Sequence, residues 1–153
     1  MATLTVTVSE NIILQGRNHG TTNTKSITGV TEVFKRIVGL DATNDVTLYS
    51  CSAGAAEGGA TFDSDNLKYA RITNVGSNVA NISVSTKSDA GVMWHQLGAG
   101  CSFLIFDHQG SFDMAATDVA KAAVALATPA DDVAAVTAYS ASSTTKVEVL
   151  VCQ

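Results

Sequence analysis

The sequence predicts an all-β fold, an antiparallel β-sandwich or jelly-roll-like barrel with one short C-terminal helical segment. Short runs that alternate apolar and polar residues recur along the chain, the period of strands buried on one face. Turn formers separate the runs at regular intervals, which adds up to about nine or ten strands, the pattern of a sandwich or barrel. Composition agrees. Of 153 residues 46% are hydrophobic and only 15% charged, enough to fill one core in a single domain over residues 1–153.

Residues 3–9 form the clearest strand. Leu4, Val6 and Val8 point one way, and Thr3, Thr5, Thr7 and Ser9 the other. β-branched Thr suits an exposed strand face. Residues 11–14 are a short apolar piece that ends this strand or starts a second. Residues 15–24, QGRNHGTTNT, read as a polar loop. Its Arg17 and His19 are exposed candidates for contact with a partner, set against the plainer reading of a solvated loop. Residues 25–29 and 31–39 follow as strands around Gly29-Val30. In the second, Val33, Lys35 and Ile37 alternate with Phe34, Arg36 and Val38. Residues 40–45 are a turn, with Asp and Asn that can bridge it through their side chains. Residues 46–51 are the next strand. Residues 52–66 are a long loop of small residues and the leading contact loop. Phe62 in it is an anchor, onto its own domain or onto a neighbour. Asp63 and Asp65 stand beside it, so Arg17, His19, Phe62, Asp63 and Asp65 are the candidate interface residues.

The chain is organised around residues 67–106, read as four strands in a row. Residues 69–75 and 79–85 flank Gly76-Ser77, which suits a two-residue type II′ hairpin turn because Gly accepts positive φ. Residues 92–97 and 101–106 repeat the arrangement across Gly98-Ala99-Gly100. The last run, CSFLIF, is apolar on both faces and reads as the covered centre of the core. Trp94 is expected in the core or at an interface, with His95 turned outward. A weak echo links Arg36-Ile37 and its following strand to Arg71-Ile72 and its following strand, as the halves of a Greek key would be. Residues 113–128 are Ala-rich, with Val119, Ala123 and Leu126 at helical spacing before Pro129, and residues 131–136 suit one short helical turn. An irregular strand fits this segment too. Residues 146–152 close the chain as a strand with Val147, Val149 and Val151 inward.

Chemistry is sparse. His19, His95 and His108 have no ligand spacing. Asp107-His108 with Asp113 reads as a turn ahead of an acid–base or metal cluster. The acidic loops at 41–45 and 63–66 lack the full spaced oxygen set of a calcium site. No Gly-rich phosphate loop or Gly-x-Ser-x-Gly elbow is present. Cys51, Cys101 and Cys152 are an odd count at wide spacing, and read as free thiols in strands. The sequence therefore predicts no enzyme, no catalytic or metal residues and no cofactor. A net charge of −5 speaks against nucleic acid, which needs clustered Lys and Arg. No run is long and apolar enough for a membrane span, and the opening residues lack a secretion signal.

One resemblance gives these features a setting. Arg71-Ile72-Thr73-Asn74, the Asn-rich turn to Ile82-Ser83-Val84, then Leu97-Gly98-Ala99-Gly100-Cys101-Ser102-Phe103 and the closing strand at 146–152 resemble the layout of small β-sandwich virion structural proteins of tailed bacteriophages. The resemblance covers roughly the second half of the chain and carries no catalytic residue. It implies a capsid decoration or cement protein, or a tail-associated protein of a tube, adaptor or fibre. Its partners would be copies of itself, as a trimer for decoration, and the phage major capsid protein or other virion proteins. Its location would be the virion, after synthesis in the host bacterial cytoplasm. A rival from another class is a carbohydrate-binding module with Trp94 or Tyr139 as its sugar platform.

Overall fold

The computed structural model describes residues 1–52, 54, 60–64, 66–86, 92–106 and 133–153. Among these residues the chain is all-β, with thirteen strands in four sheets and no helix. The chain divides into two compact units, Met1–Thr31 and Glu32–Gln153.

The first unit is one long hairpin. Strand β1 (Ala2–Ser9) pairs antiparallel with β4 (Thr22–Val30), and β2 (Ile13–Leu14) pairs with β3 (Arg17–Asn18). Backbone bonds from Glu10 N to Thr21 O and from His19 N to Ile12 O, both 2.8 Å, carry the ladder between the two pairs. The tip is Gln15-Gly16, with φ of 52° and 75°. Two positive φ values in a row are what a two-residue hairpin turn of type I′ requires. Residues 15–24 are thus the tip and returning strand, where a polar loop is expected: Leu14 pairs with Arg17 across two residues, and the ladder then fixes the register. One face of the long pair is entirely hydroxyl, Thr3, Thr5, Thr7 and Ser9 against Thr28, Ser26, Thr24 and Thr22. Thr7 and Thr24 hydroxyls meet at 3.1 Å, and Ser9 and Thr22 at 2.9 Å.

The second unit holds two larger sheets. Its strands are β5 (Val33–Leu40), β6 (Val46–Ser52), β7 (Thr61–Asp63), β8 (Tyr69–Asn74), β9 (Ala80–Thr86), β10 (Val92–Leu97), β11 (Ser102–Phe106), β12 (Val133–Tyr139) and β13 (Thr145–Cys152). One sheet has the order β10-β9-β12-β6-β7 and the other β11-β8-β13-β5. All neighbours are antiparallel except β6 and β7, which run parallel. Strand alternation sends Leu48, Ile82, Val84 and Val136 from the first sheet and Ile72, Val147, Val149 and Val151 from the second into one shared core. Val147, Val149 and Val151 are inward as the closing alternation predicts.

Several expectations are corrected. Strands β8 and β9 do not pair, and neither do β10 and β11; each turn carries the chain from one sheet to the other. The turns at 75–79 and 98–101 are corners, because each strand finds its partners in β12 or β13, far along the sequence. Strand β11 is an edge strand among the described residues, with Leu104 exposed on its outer side, while Phe103 and Ile105 pack toward the core. The short helical turn at 131–136 is overturned over Val133–Val136, which are strand β12 held between β6 and β9. The helical spacing at 113–128, and Asp107, His108 and Asp113, lie outside the described residues. The echo is visible in placement. Strands β5 and β8 flank β13, and β6 and β9 flank β12. Yet Val149 pairs with Arg36 on one side and Ile72 on the other, so the two Arg-Ile pairs are offset by one residue and face opposite ways.

Candidate functional site

Arg17 and His19 sit together at the end of the hairpin. Arg17 opens β3 opposite Leu14, and both Arg17 and His19 are exposed. The neighbouring residues that sequence reading passed over are the more telling ones. Ile12, Ile13 and Leu14 are 56%, 72% and 61% exposed. In a short strand pair each residue faces one side or the other, and among the described residues no further strand pairs with β2 or β3. The signal was present in residues 11–14, whose apolar run sits beside a Gln-Gly turn, yet a one-sided strand end and a hairpin tip look alike in sequence.

Phe62 and Asp63 belong to the second unit. Phe62 is 3% exposed and packs edge-to-face on Phe34 and Tyr49, at ring separations of 5.5 and 6.1 Å. Of the two roles expected for it, it fills the one inside its own domain. Asp63 is buried at the end of β7; its backbone N–H donates to Gln153 Oε1 at 3.1 Å, and its carboxylate accepts from Asn66 Nδ2 at 2.8 Å. Asp65 lies outside the described residues. The Asp41 turn is stabilised as expected, with Oδ1 accepting from Thr43 N and Asn44 N at 2.8 and 2.9 Å. Those two bonds hold its carboxyl below the usual range.

The outer face of the five-stranded sheet carries a second cluster. Trp94 on β10 and Tyr139 on β12 meet edge-to-face at 5.6 Å across β9. Between them lies Ser83, whose hydroxyl bonds Thr137 at 2.6 Å. Ser83 pairs with Trp94 and Thr137, and Tyr139 pairs with Asn81 one row along. Trp94 is 55% exposed. The expectation for its neighbour is reversed: His95 turns inward and stacks on Phe103 at 4.3 Å, because strand parity places it with Met93 and Leu97.

Charge gathers on the outer face of the four-stranded sheet. Glu148 accepts from Lys35 at 3.0 Å and from Arg71 at 2.8 Å. The Lys35 hydrogen bond, with the charges of Lys35 and Arg71, holds the Glu148 carboxyl below its ordinary value against partial burial. This is an ion-pair network on strands. A cleft of about 380 Å³ opens at the sheet ends, lined in part by Asp41, Gly76, Ser77, Thr144 and Lys146.

Cys51, Cys101 and Cys152 form no disulfide. Cys51 and Cys152 are buried in strands, and burial pushes the Cys152 thiol up. Cys101 differs from the strand thiol expected: it is exposed, in the corner before β11. Burial also drives the Tyr49 phenol well above its usual value, and among the described residues its hydroxyl has no hydrogen-bond partner. Among the described residues no group of three or more His, Cys, Asp or Glu could hold a metal ion, and no helix is long and apolar enough to cross a membrane.

No family model, curated protein or solved structure matches the chain.

Proposed function

We propose that this chain is a non-enzymatic structural protein that works by contact with other protein subunits, and that its place is the virion of a tailed phage, as a capsid decoration or cement protein. In this reading the two large sheets with their common core form a β-sandwich of jelly-roll type, a rigid body that presents contact elements. The phage setting rests on the resemblance around Arg71–Asn74 and Leu97–Phe103. The mechanism rests on the hairpin.

One observation carries it. The hairpin ends in three exposed aliphatic side chains, Ile12, Ile13 and Leu14, on a ladder only two strands wide. A two-stranded ladder is marginal in water unless something covers a face, and while Ile27 and Val30 at the base of the hairpin are buried, the tip is not. Covering one Ile or Leu side chain fully is worth about 2 kcal/mol. Arg17 and His19 beside the tip supply polar bonds at the rim of such a contact. The partner that fits is a protein surface with an apolar pocket, on another copy or on a shell subunit. Repetition over a symmetric array then turns modest single contacts into a stable assembly.

The experiment replaces Ile12, Ile13 and Leu14 by Ser together and compares self-association with the unaltered chain by light scattering. The variant is expected to dissociate at concentrations where the unaltered chain is assembled, with the unfolding midpoint of the second unit unchanged. Assembly equal to that of the unaltered chain would remove the hairpin tip from the mechanism.

A further inference from the structure

We infer that the outer face of the five-stranded sheet, around the Trp94–Tyr139 pair, is a binding site for an uncharged carbohydrate chain. The inference is independent of the hairpin mechanism and uses a different surface.

Three features of the face converge. First, the aromatic pair is displayed where core packing does not require it. Strand β9 sends Ala80, Ile82 and Val84 inward, and Trp94 and Tyr139 stand over its other side, with Trp94 55% exposed. A sugar ring offers a flat face of C–H bonds, and an indole supplies a large, rigid, apolar surface for it at low entropic cost. Second, the side chains around the pair are amides and hydroxyls. Gln96 lies beside Trp94 on β10 and is exposed, Asn81 pairs with it on β9, and Thr137 lies across the sheet, bonded to the buried Ser83. Amides donate and accept at once, and a hydroxyl engaged in one bond keeps capacity for another, so this set matches sugar hydroxyls. Third, the charges that the four-stranded sheet displays, Lys35, Arg71, Lys146 and Glu148, have no counterpart among Trp94, Gln96, Asn81, Ser83, Thr137 and Tyr139. Among these described residues a phosphate-bearing or acidic ligand finds no cation, and a basic one no anion. A neutral glycan requires neither.

The chain contains one Trp, so indole emission reports on this face directly. The probes are soluble neutral polysaccharides, a β-glucan, a mannan and a galactan, titrated into the full chain. A saturable shift in Trp94 emission with at least one of them is expected. Thr137→Val and Gln96→Ala, which keep the indole and the core, are each expected to weaken the titration by about tenfold, as loss of a hydrogen bond in a binding site does. Trp94→Ala, followed by calorimetry with the same sugar, is expected to abolish binding. Three results would overturn the inference: no emission change with any neutral polysaccharide, a titration untouched by both polar variants, or emission that moves with protein concentration and not with sugar. The last would assign the face to contact between copies of the chain.

Discussion

Asn74 has no exposed surface, and its side-chain amide serves both large sheets. Its Nδ2 donates to Asn78 O at 2.8 Å and to Leu97 O at 2.9 Å, while its Oδ1 accepts from Gly76 N at 3.1 Å and from the Thr145 hydroxyl at 3.3 Å. Asn74 ends β8 in the four-stranded sheet and Leu97 ends β10 in the other, so one side chain ties the 75–79 corner to the 98–101 corner. Its backbone joins in, with Asn74 N donating to Cys101 O and Gly100 N to Asn74 O. A buried polar group stripped of its partner costs about 1–3 kcal/mol. Asn74→Leu strips several, and we expect it to lower stability by about 3 kcal/mol in urea unfolding, with Asn74→Asp intermediate because it keeps only the acceptor. A midpoint within experimental error of the unaltered chain would refute the role. In sequence Asn74 was visible only as part of Arg-Ile-Thr-Asn. Its partners lie up to 71 residues away, so nothing local announces the cluster. Phe62 was legible as an anchor for the opposite reason: a lone large aromatic among small residues must be covered by something.

At the scale of elements, strands were easier to read than their pairing. The alternations at 3–9, 79–85 and 146–152 all appear as strands close to the expected bounds. Their neighbours were not legible, because a turn between two alternating runs serves equally for a hairpin and for a crossing to the facing sheet. Gly76 shows the difference. A Cβ there would collide with the Thr145 hydroxyl and stand 2.8 Å from Lys146 N, a backbone atom of β13 that cannot yield easily. Gly76 is therefore required by close approach at the corner. Gly76→Ala is expected to cost about 1–3 kcal/mol, the range of an overpacked site. Gly39→Ala, where a Cβ meets open space, is expected to leave the urea midpoint unchanged within about 0.5 kcal/mol. Equal effects at the two sites would contradict this account. The apolar run of β11 was read as central for a physical reason that still holds in part. It states that both faces want cover, yet Leu104 lies on an outer face at the edge of its sheet. Residues 133–136 misled because a short Ala- and Val-rich stretch serves helix and strand alike, and long-range pairing with β6 and β9 decides it.

At the scale of the whole molecule, the all-β class was legible because strand periodicity is a local property repeated many times. Residues 25–39 read as a strand, a turn at Gly29-Val30 and a strand, whereas β4 runs on to Val30 and the boundary between units falls at Thr31-Glu32. The aliphatic tip of the hairpin is exposed, and the proposed assembly rests on it. Trp94 and Tyr139 were each readable as candidates, and their juxtaposition follows only from the β10-β9-β12 order. The central claim is that this chain acts by assembling with copies of itself and with other subunits. The direct measurement is negative-stain electron microscopy of the purified full chain, with its mass in solution from light scattering. The account predicts closed oligomers of uniform size, trimers for a capsid decoration protein, with rings or tubes pointing to a tail position within the same structural role. A chain that stays monomeric across the concentration range would contradict it.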